Sequence, residues 1–379
     1  MRQTSGDRIL TTHVGSLPRA PEMVESIRKE DRTFERTLGR AVADIVARQV
    51  AVGLDIVNDG ELCKASYATY IQERLSGFGP VDDALWLGER HREHEAFPDY
   101  YRKSIAMQGP ATRKKLGCVG PVALVNRAPV ERDLANLKEA VAAAKPAGAF
   151  MTAASPGVIA RFHPNAHYPT SEAYRQAVGT AMQEEYDAIA KAGFILQVDC
   201  PDLASGRNTV FARLTDAEFL KESAISIEIL NHALRNVPME QVRLHLCWGN
   251  YEGPHIHDIP LETILPVVLR AKAQVISFEG ANPRHAHEWE VWRRVKLPDD
   301  RAIMPGVIDS LTNFVEHPEL VAQRIRQYAN IVGRERVIAA VDCGFETFAG
   351  NSRVDPTIAF AKLGALVEGA RLASKALWA

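Results

Sequence analysis

The feature that most limits the possible folds of this sequence is a regular alternation of short apolar runs with longer stretches of helical period. Strands that alternate with helices form parallel sheets with right-handed crossovers, and eight such units predict a closed (β/α)8 TIM barrel. A doubly wound open sheet is the alternative, but no glycine-rich nucleotide fingerprint follows any strand. The predicted strands are residues 8–14, 54–57, 149–154, 194–199, 242–247, 274–279, 301–308 and 336–342.

Apolar residues at helical spacing and end signals predict the helices between these strands. Thr215 and Glu218 have the spacing of a capping box at the start of one of them. One stretch, 80–116, is rich in charge, proline, glycine and tyrosine and has no sustained period, and 118–125 can add an edge strand. We therefore expect one domain over 1–379 with an inserted hairpin or lid near 80–130. The other predicted helices span about 31–52, 171–192, 260–273, 318–331 and 355–374.

The charge balance and the cysteine usage narrow the class of partner. The chain has 45 basic and 47 acidic residues, so it offers no electrostatic footprint for nucleic acid or an anionic membrane, and small molecules are the expected partners. No signal peptide and no apolar run of membrane-spanning length occur, which predicts a soluble, cytoplasmic protein. Five scattered cysteines then indicate reduced thiols that are available for metal binding. The oligomeric state is not indicated.

A TIM barrel builds its site at the carboxyl ends of its strands, and polar residues follow the apolar runs of this sequence at those ends. His245 and Cys247 lie two residues apart, so in a strand they point to the same side. Such a pair is half of a tetrahedral zinc site, or else a core histidine beside a structural cysteine. For the interpretation as a zinc site, two further strand ends supply the remaining ligands. The polar residues at strand ends are His13, Glu61, Asp199, His245, Cys247, Glu279, Asp309 and Cys343.

Two thiolates, an imidazole and a carboxylate suit Zn²⁺, so we expect His245, Cys247, Glu279 and Cys343 to bind it. On the open face of a barrel, such a zinc can accept a substrate thiol and deprotonate it, and the thiolate is the nucleophile. The predicted chemistry is S-alkylation of a small thiol. A closed structural zinc in a non-catalytic barrel that binds a ligand or partner is the alternative from a different class.

These motifs resemble the cobalamin-independent methionine synthase family, in its C-terminal catalytic barrel and its short single-domain relatives. The resemblance implies a transferase of methionine biosynthesis, similar to 5-methyltetrahydropteroyltriglutamate–homocysteine S-methyltransferase, in which zinc holds a homocysteine-like thiol. It implies that Glu61 and Asp199 bind the substrate ammonium and that Ser16 receives its carboxylate, with His13 and Asp309 as catalytic candidates. The matching segments are 12–19, 59–61, 197–201, 245–247, 278–279, 305–309 and 342–344.

Three departures from the family pattern leave the methyl donor open. The family's catalytic histidine is expected two residues after Asp309, where this chain has Leu311. Cys200 stands where the family has a glutamate before proline, and no counterpart of the folate-binding tryptophan segment occurs around Arg161. An insertion at 251–260 follows the zinc pair, and one of its histidines could replace the missing acid, unless the insertion is simply a solvated loop.

The segments 250–254 and 282–287 are similar to a short bacterial subgroup that includes the epoxyalkane:coenzyme M transferases. Those enzymes use the same zinc-thiolate chemistry but open an epoxide with a thiol that bears a sulfonate. Under this alternative, Arg284, His285 and His287 are cations available for the sulfonate near the end of the Glu279 strand, and the sequence leaves open whether they face the site.

Overall fold

A computed structural model describes residues 4–29, 34–82, 92–107 and 116–379, and its centre is an eight-stranded parallel sheet. The strand order is β1-β10-β9-β8-β7-β6-β5-β2, as expected for consecutive βα units around a barrel. The strands are β1 (Leu10–Thr11), β2 (Ile56–Val57), β3 (Phe78–Pro80), β4 (Leu116–Cys118), β5 (Gly148–Ala154), β6 (Ile195–Asp199), β7 (Val242–Leu246), β8 (Val275–Phe278), β9 (Ala302–Ile308) and β10 (Ile338–Val341).

The first and second strands complete the ring. The Asp55 amide donates to the Thr11 carbonyl at 3.2 Å, and the Thr12 hydroxyl donates to the Ile56 carbonyl at 2.8 Å. These bonds bring β1 beside β2, so the predicted TIM barrel is confirmed and the open sheet is excluded. Every residue of β5 to β10 is buried, because the sheet closes on its own interior and is covered outside by helices.

The described helices surround this barrel and agree with most of the predicted ranges. The capping box at Thr215 and Glu218 is present. The helix predicted over 260–273 ends earlier, at Val268, because the Asn231 side chain binds the backbone of Arg270 and Lys272 in a turn. The helices are α1 (Pro21–Lys29), α2 (Phe34–Val52), α3 (Arg92–Ala96), α4 (Pro98–Met107), α5 (Ala128–Ala144), α6 (Pro156–Phe162), α7 (Ser171–Lys191), α8 (Asp216–Ala233), α9 (Leu261–Val268), α10 (Pro318–Val332) and α11 (Pro356–Leu377). Residues 31–33 of the helix predicted over 31–52 lie outside the described residues.

The predicted insertion is a hairpin in which β3 pairs with β4 in antiparallel register. Between its strands the chain forms α3 and α4, which were not predicted, because helices of 5 and 10 residues are too short to establish a period. Residues 83–91 and 108–115 of this region lie outside the described part. The strand predicted at 118–125 was wrong beyond Cys118, since Leu124 forms only an isolated bridge with Leu75.

No helix within the described ranges is long and apolar enough to cross a membrane.

Candidate metal centre and substrate cavity

A cavity of about 350 Å³ lies at the carboxyl ends of the barrel strands. Its volume is in the usual range for small-molecule sites. Six of the nine residues predicted for the site line it, and they come from well-separated parts of the sequence that the barrel brings together. These six residues are Ser16, Glu61, Asp199, His245, Cys247 and Cys343.

Three of these residues form a compact group of metal-ligand atoms. His245, Cys247 and Cys343 are buried, and each offers one ligand atom within 4.8 Å of the others. The two sulfur atoms are 3.7 Å apart. Two sulfurs on a tetrahedral zinc, each about 2.3 Å from the metal, would lie roughly 3.8 Å apart. The cysteine pair therefore already has the spacing that a shared zinc ion requires.

The His245 ring is oriented as a metal ligand would be. Its Nδ1 atom lies 3.0 Å from the Ser277 hydroxyl, which the strand register places directly opposite. Burial, together with the charge of Arg243, lowers the pKa of His245 to about 3, so the ring is neutral. When Nδ1 carries the proton, Nε2 presents a lone pair, and this buried atom has no hydrogen-bond partner. A metal ion would satisfy it, and Ser277 would fix the tautomer.

Glu279, the fourth predicted ligand, adjoins this group without belonging to it. Its Oε1 atom accepts a hydrogen bond from the Trp248 amide at 2.8 Å, and its Oε2 atom accepts one from the Asn282 side chain at 2.7 Å. Burial and the neighbouring Cys247 raise the pKa of Glu279 well above its usual value. The carboxylate is thus held beside Cys247, and binding a metal would require one oxygen to share or leave its present donor.

Asp342 holds the loop backbone next to the candidate metal centre and was not predicted as a site residue. Its carboxylate accepts three backbone N–H bonds of 2.8 Å from residues 280–282, the turn that carries Asn282. Burial raises the pKa of Asp342 to about 6. A Cβ atom on Gly306 would lie 2.0 Å from the Asp342 Oδ1 atom, so a glycine is needed there. Asp342 therefore ties the turn after Glu279 to the strand that delivers Cys343, and its position at a strand end was the available signal.

The opposite side of the cavity floor carries two carboxyl groups. Burial and the charge of Glu61 raise the pKa of Asp199 to about 8. The Gln197 amide donates to Asp199 Oδ1 at 2.7 Å, whereas Glu61 lies 3.7 Å from the ammonium of Lys64. None of the ion pairs among the described residues includes Asp199. Burial and the charge of Glu61 outweigh the positive charges of Lys64 and Arg243 at Asp199, so the two carboxyl groups can accommodate a further cation.

The backbone around these groups is held in a specific conformation. Glu61 has a φ of 56°, which non-glycine residues rarely adopt and which costs on the order of 1 kcal/mol. Asp59 accepts a bond from the Glu61 amide at 2.9 Å, and the buried Arg19 guanidinium donates to the Glu61 carbonyl at 2.7 Å. Nearby, the Ser16 hydroxyl is buried and has no hydrogen-bond partner. The floor thus presents a free hydroxyl and two positioned carboxyl groups.

The two predicted catalytic candidates do not reach the cavity. The Nε2 atom of His13 lies 2.8 Å from the Gln49 side chain, and its Nδ1 atom accepts from the Gly15 amide at 3.3 Å. Burial lowers the pKa of His13 to about 4. His13 therefore stabilises the turn before Ser16 and has no ring nitrogen free for proton transfer.

Asp309 is likewise used locally. Its carboxylate accepts bonds from the amides of Leu311 and Thr312 and from the Thr312 hydroxyl, at 3.1, 2.9 and 2.6 Å. The side chain closes its own turn, as aspartates after strands often do. For both residues the expected position at a strand end is correct, but the side chain turns away from the cavity.

The rim of the cavity consists of residues that were not predicted for the site. Tyr67, Phe162 and Phe348 form an aromatic cluster with ring centroids 5.6 to 6.3 Å apart. Arg161 and Arg353 are the arginines among the described lining residues. These residues lie mostly on loops, where no periodic pattern identifies them. His94 and Tyr101 of the insertion also line the cavity.

The cations available for a sulfonate are not at this rim. Arg284 and His287 are exposed, and the Arg284 guanidinium contacts the Ile256 carbonyl at 3.4 Å. His285 is buried between Asp258 and Glu288, at 3.1 and 2.8 Å. None of these three residues lines the cavity, which answers the question that the sequence left open. The insertion at 251–260 is also not a solvated loop throughout, since His255 and Asp258 are buried.

Comparisons with known proteins agree with this architecture. The methionine synthase of Sulfurisphaera tokodaii is 24% identical over 382 residues, which cover 97% of this chain and 93% of that protein. The methionine synthase of Sulfolobus acidocaldarius is 25% identical over 349 residues, covering 89% and 85% of the two chains. A B12-independent methionine synthase from Shewanella sp. W3-18-1, solved in complex with selenomethionine, has the same fold, with a TM-score of 0.74 at 19% identity over 98% and 99% of the chains.

The sequence also matches a known protein family. The family described as cobalamin-independent synthase, catalytic domain, matches residues 161–371, which are more than half of the 379 residues. The match includes His245, Cys247, Glu279 and Cys343 within one continuous segment. The chain therefore belongs to the cobalamin-independent methionine synthase family and contains that family's catalytic domain.

Proposed function

We propose that this chain is a zinc-dependent thiol S-methyltransferase that transfers a methyl group to a homocysteine-like thiol, with all 379 residues acting as one domain. The observation that carries the proposal is the buried group of His245, Cys247 and Cys343 at the cavity floor, in which the His245 Nε2 atom has no partner. Ligand atoms of these three types, with this spacing, are those that zinc prefers.

In the proposed centre, Glu279 is the fourth ligand beside His245, Cys247 and Cys343. Zinc bound by these residues would supply a Lewis acid that lowers the pKa of a coordinated substrate thiol, which makes the thiolate available at neutral pH. Glu279 is the ligand we expect to give way to the substrate sulfur, because both of its oxygens already have hydrogen-bond donors that would keep it satisfied.

The remaining floor residues match the other two groups of an amino-acid thiol. Glu61 and Asp199 would bind the ammonium, since a cation between them offsets the burial and the charge of Glu61 that raise the pKa of Asp199. The unpartnered Ser16 hydroxyl would donate to the carboxylate. These three residues orient the substrate, and the aromatic rim excludes water from the sulfur. His13 and Asp309 would act indirectly, by fixing the turns that they hold.

A second candidate function is supported by the two arginines that line the rim. The Arg161 guanidinium donates to the Ser205 hydroxyl at 2.6 Å, and its buried Nε atom has no partner. Arg353 is about one-third exposed and lies 3.7 Å from Glu252. Such cations favour an anionic group on one substrate, as in a thiol alkyltransferase or lyase similar to the epoxyalkane:coenzyme M transferases, which combine an epoxide with a sulfonated thiol. The same zinc centre would serve either reaction.

The proposal is tested by X-ray absorption at the zinc edge, with and without homocysteine. We expect two zinc-bound sulfur atoms per chain in the protein alone and three after the thiol is added, because the substrate sulfur replaces an oxygen ligand of the thiolate-bound zinc. The matched variant Cys343→Ser should lose most of this zinc while its thermal unfolding shows that the barrel remains folded.

An unchanged sulfur count with homocysteine would contradict the proposal and leave a structural zinc. Full zinc occupancy of the thiolate centre in Cys343→Ser would remove Cys343 from the ligand set.

A further inference from the structure

A second cluster of potential ligands lies outside the thiolate centre. His255, Asp258 and His285 are buried, and each offers a ligand atom within 4.8 Å of the others. They come from two loops, the insertion after β7 and the turn after β8, which meet behind the cavity wall. We refer to these three residues as the histidine–aspartate cluster.

The ligand atoms of this cluster converge on one point. The His255 Nδ1 atom lies 2.7 Å from Asp258 Oδ2, and the His285 Nε2 atom lies 3.1 Å from the same oxygen. His255 also has a φ of 52°, a left-handed conformation that a non-glycine residue adopts only when its surroundings impose it. Two imidazoles and a carboxylate that meet in this way are a known ligand set for divalent transition metals.

Each member of the cluster is also held on its far side. The His255 Nε2 atom lies 3.0 Å from the Tyr251 carbonyl, and the His285 Nδ1 atom lies 2.8 Å from a Glu288 carboxylate oxygen. The Asn208 side chain donates to Asp258 Oδ1 at 2.6 Å. Outer partners of this kind orient metal-binding histidines and carboxylates, and they leave the inner atoms for the metal.

The hydrogen bonds of the two histidine rings indicate which protons a metal would replace. All four ring nitrogens of His255 and His285 face acceptors, so without a metal each ring needs both of its protons. Two imidazolium ions would then point at a single oxygen of Asp258. A divalent cation in place of the two inner protons keeps the same total charge, and each neutral ring retains the proton that its outer partner accepts.

We propose that His255, Asp258 and His285 bind a second divalent transition metal of the zinc type, separate from the thiolate centre. The three protein ligands leave one tetrahedral position for water. This inference goes beyond the proposed transfer reaction and does not depend on it, because neither cysteine of the thiolate centre takes part.

The position of the cluster assigns the metal a role in shaping the cavity. The Trp248 ring lies 4.2 Å from the His285 ring, and the Tyr251 ring lies 4.2 Å from the His255 ring. Both aromatic residues line the cavity, and Trp248 follows Cys247 directly. A metal would therefore fix the two loops and the two aromatic walls that stand on them.

Metal analysis of the full-length protein tests the second site. After loading with Zn²⁺ and removal of excess metal, we expect two equivalents in the wild-type chain and one in His285→Gln or His255→Gln. The matched controls His257→Gln and His287→Gln, each two residues away in the same loops, should retain two. Cys343→Ser should lose the thiolate-bound equivalent and keep the other, which separates this proposal from the proposed function.

Substitution with Co²⁺ provides a readout that does not require the variants to fold. A thiolate centre gives intense sulfur-to-metal charge-transfer absorption, whereas the histidine–aspartate cluster should add only weak visible bands with the second equivalent. Binding of only one equivalent by the wild-type protein would overturn the second site. Retention of the second equivalent by both His255→Gln and His285→Gln would also overturn it.

Discussion

The floor and the rim of the cavity are built in different ways. The floor residues Ser16, Glu61, Asp199, His245 and Cys343 lie near or just after the carboxyl ends of barrel strands and are buried. Their backbones are held by neighbouring strands, and their side chains by partners such as Ser277 and Gln197. The rim residues come mostly from loops and from the inserted hairpin. All of them except the buried Tyr101 are more exposed, and they contact one another chiefly through aromatic rings: Tyr67, His94, Tyr101, Arg161, Phe162, Phe348 and Arg353.

This difference suggests how the two substrates are recognised. A rigid floor suits a reaction component that is bound in the same way throughout a family, and the floor residues are those that carry the family resemblance. A rim of loops can change without disturbing the barrel. The departure around Arg161 lies at this rim, so we expect the electrophile to be the component that distinguishes this chain from the methionine synthases.

Among the tests of this difference between floor and rim, we expect the largest effect from a substitution of Glu61. Glu61→Gln removes a buried charge that we propose pairs with the substrate ammonium, which should weaken homocysteine binding by about 4 kcal/mol, on the order of 1000-fold. Isothermal titration calorimetry measures the effect. Binding of 4-mercaptobutanoate, which has the thiol and the carboxylate but no ammonium, should change little. Equal losses for both ligands would show that Glu61 acts on the fold of the floor and not on the ammonium.

A second prediction concerns the support of the floor by His13. The pKa of a histidine is 6.5 in the unfolded chain, whereas burial lowers that of folded His13 to about 4. The unfolded state therefore binds more protons between these values, and stability falls as the pH is lowered from 6.5 to 4. A pKa difference of about 2.5 corresponds to a loss of about 3 kcal/mol.

Urea unfolding at pH 7 and at pH 4.5 checks this contribution. His13→Asn should lose less stability than the wild type over that interval, although it starts from a lower value at pH 7. Comparison with the wild type removes the acid sensitivity of His245 and of the proposed metal centre, which both proteins share. An identical pH dependence in the two proteins would contradict a neutral, buried His13.

The smallest effect is expected at the rim. Arg161→Gln should weaken the binding of 2-mercaptoethanesulfonate about tenfold, equivalent to about 1.4 kcal/mol, because a partly solvated cation is lost. Homocysteine affinity should stay within about a factor of two, since the Arg161 guanidinium binds the Ser205 hydroxyl and takes no part in the proposed ammonium and carboxylate sites. Parallel titrations of the two thiols measure the contrast. A loss of homocysteine affinity as large as that of the sulfonate would break the distinction between floor and rim.

The sequence alone was sufficient to predict the barrel and the gathering of His245, Cys247 and Cys343 at one end of it. Apolar periodicity is a local property, and the handedness of βα units then leaves few ways to arrange eight strands. The spacing of His245 and Cys247 puts both on one side of the chain wherever that strand lies. Polar residues at strand ends must gather at one face of a barrel, which is why Cys343 could be paired with residues about 100 positions earlier.

Only the tertiary structure decided which way each side chain turns and what supports it. His13 and Asp309 lie at the expected strand ends, yet Gln49 and the backbone of Leu311 and Thr312 take their polar atoms. Asp342 reaches across to the turn after Glu279 through contacts that no local pattern encodes. The histidine–aspartate cluster forms where two irregular loops meet. Strand periodicity places residues along an element, whereas hydrogen bonds between distant loops depend on the packing of the whole chain.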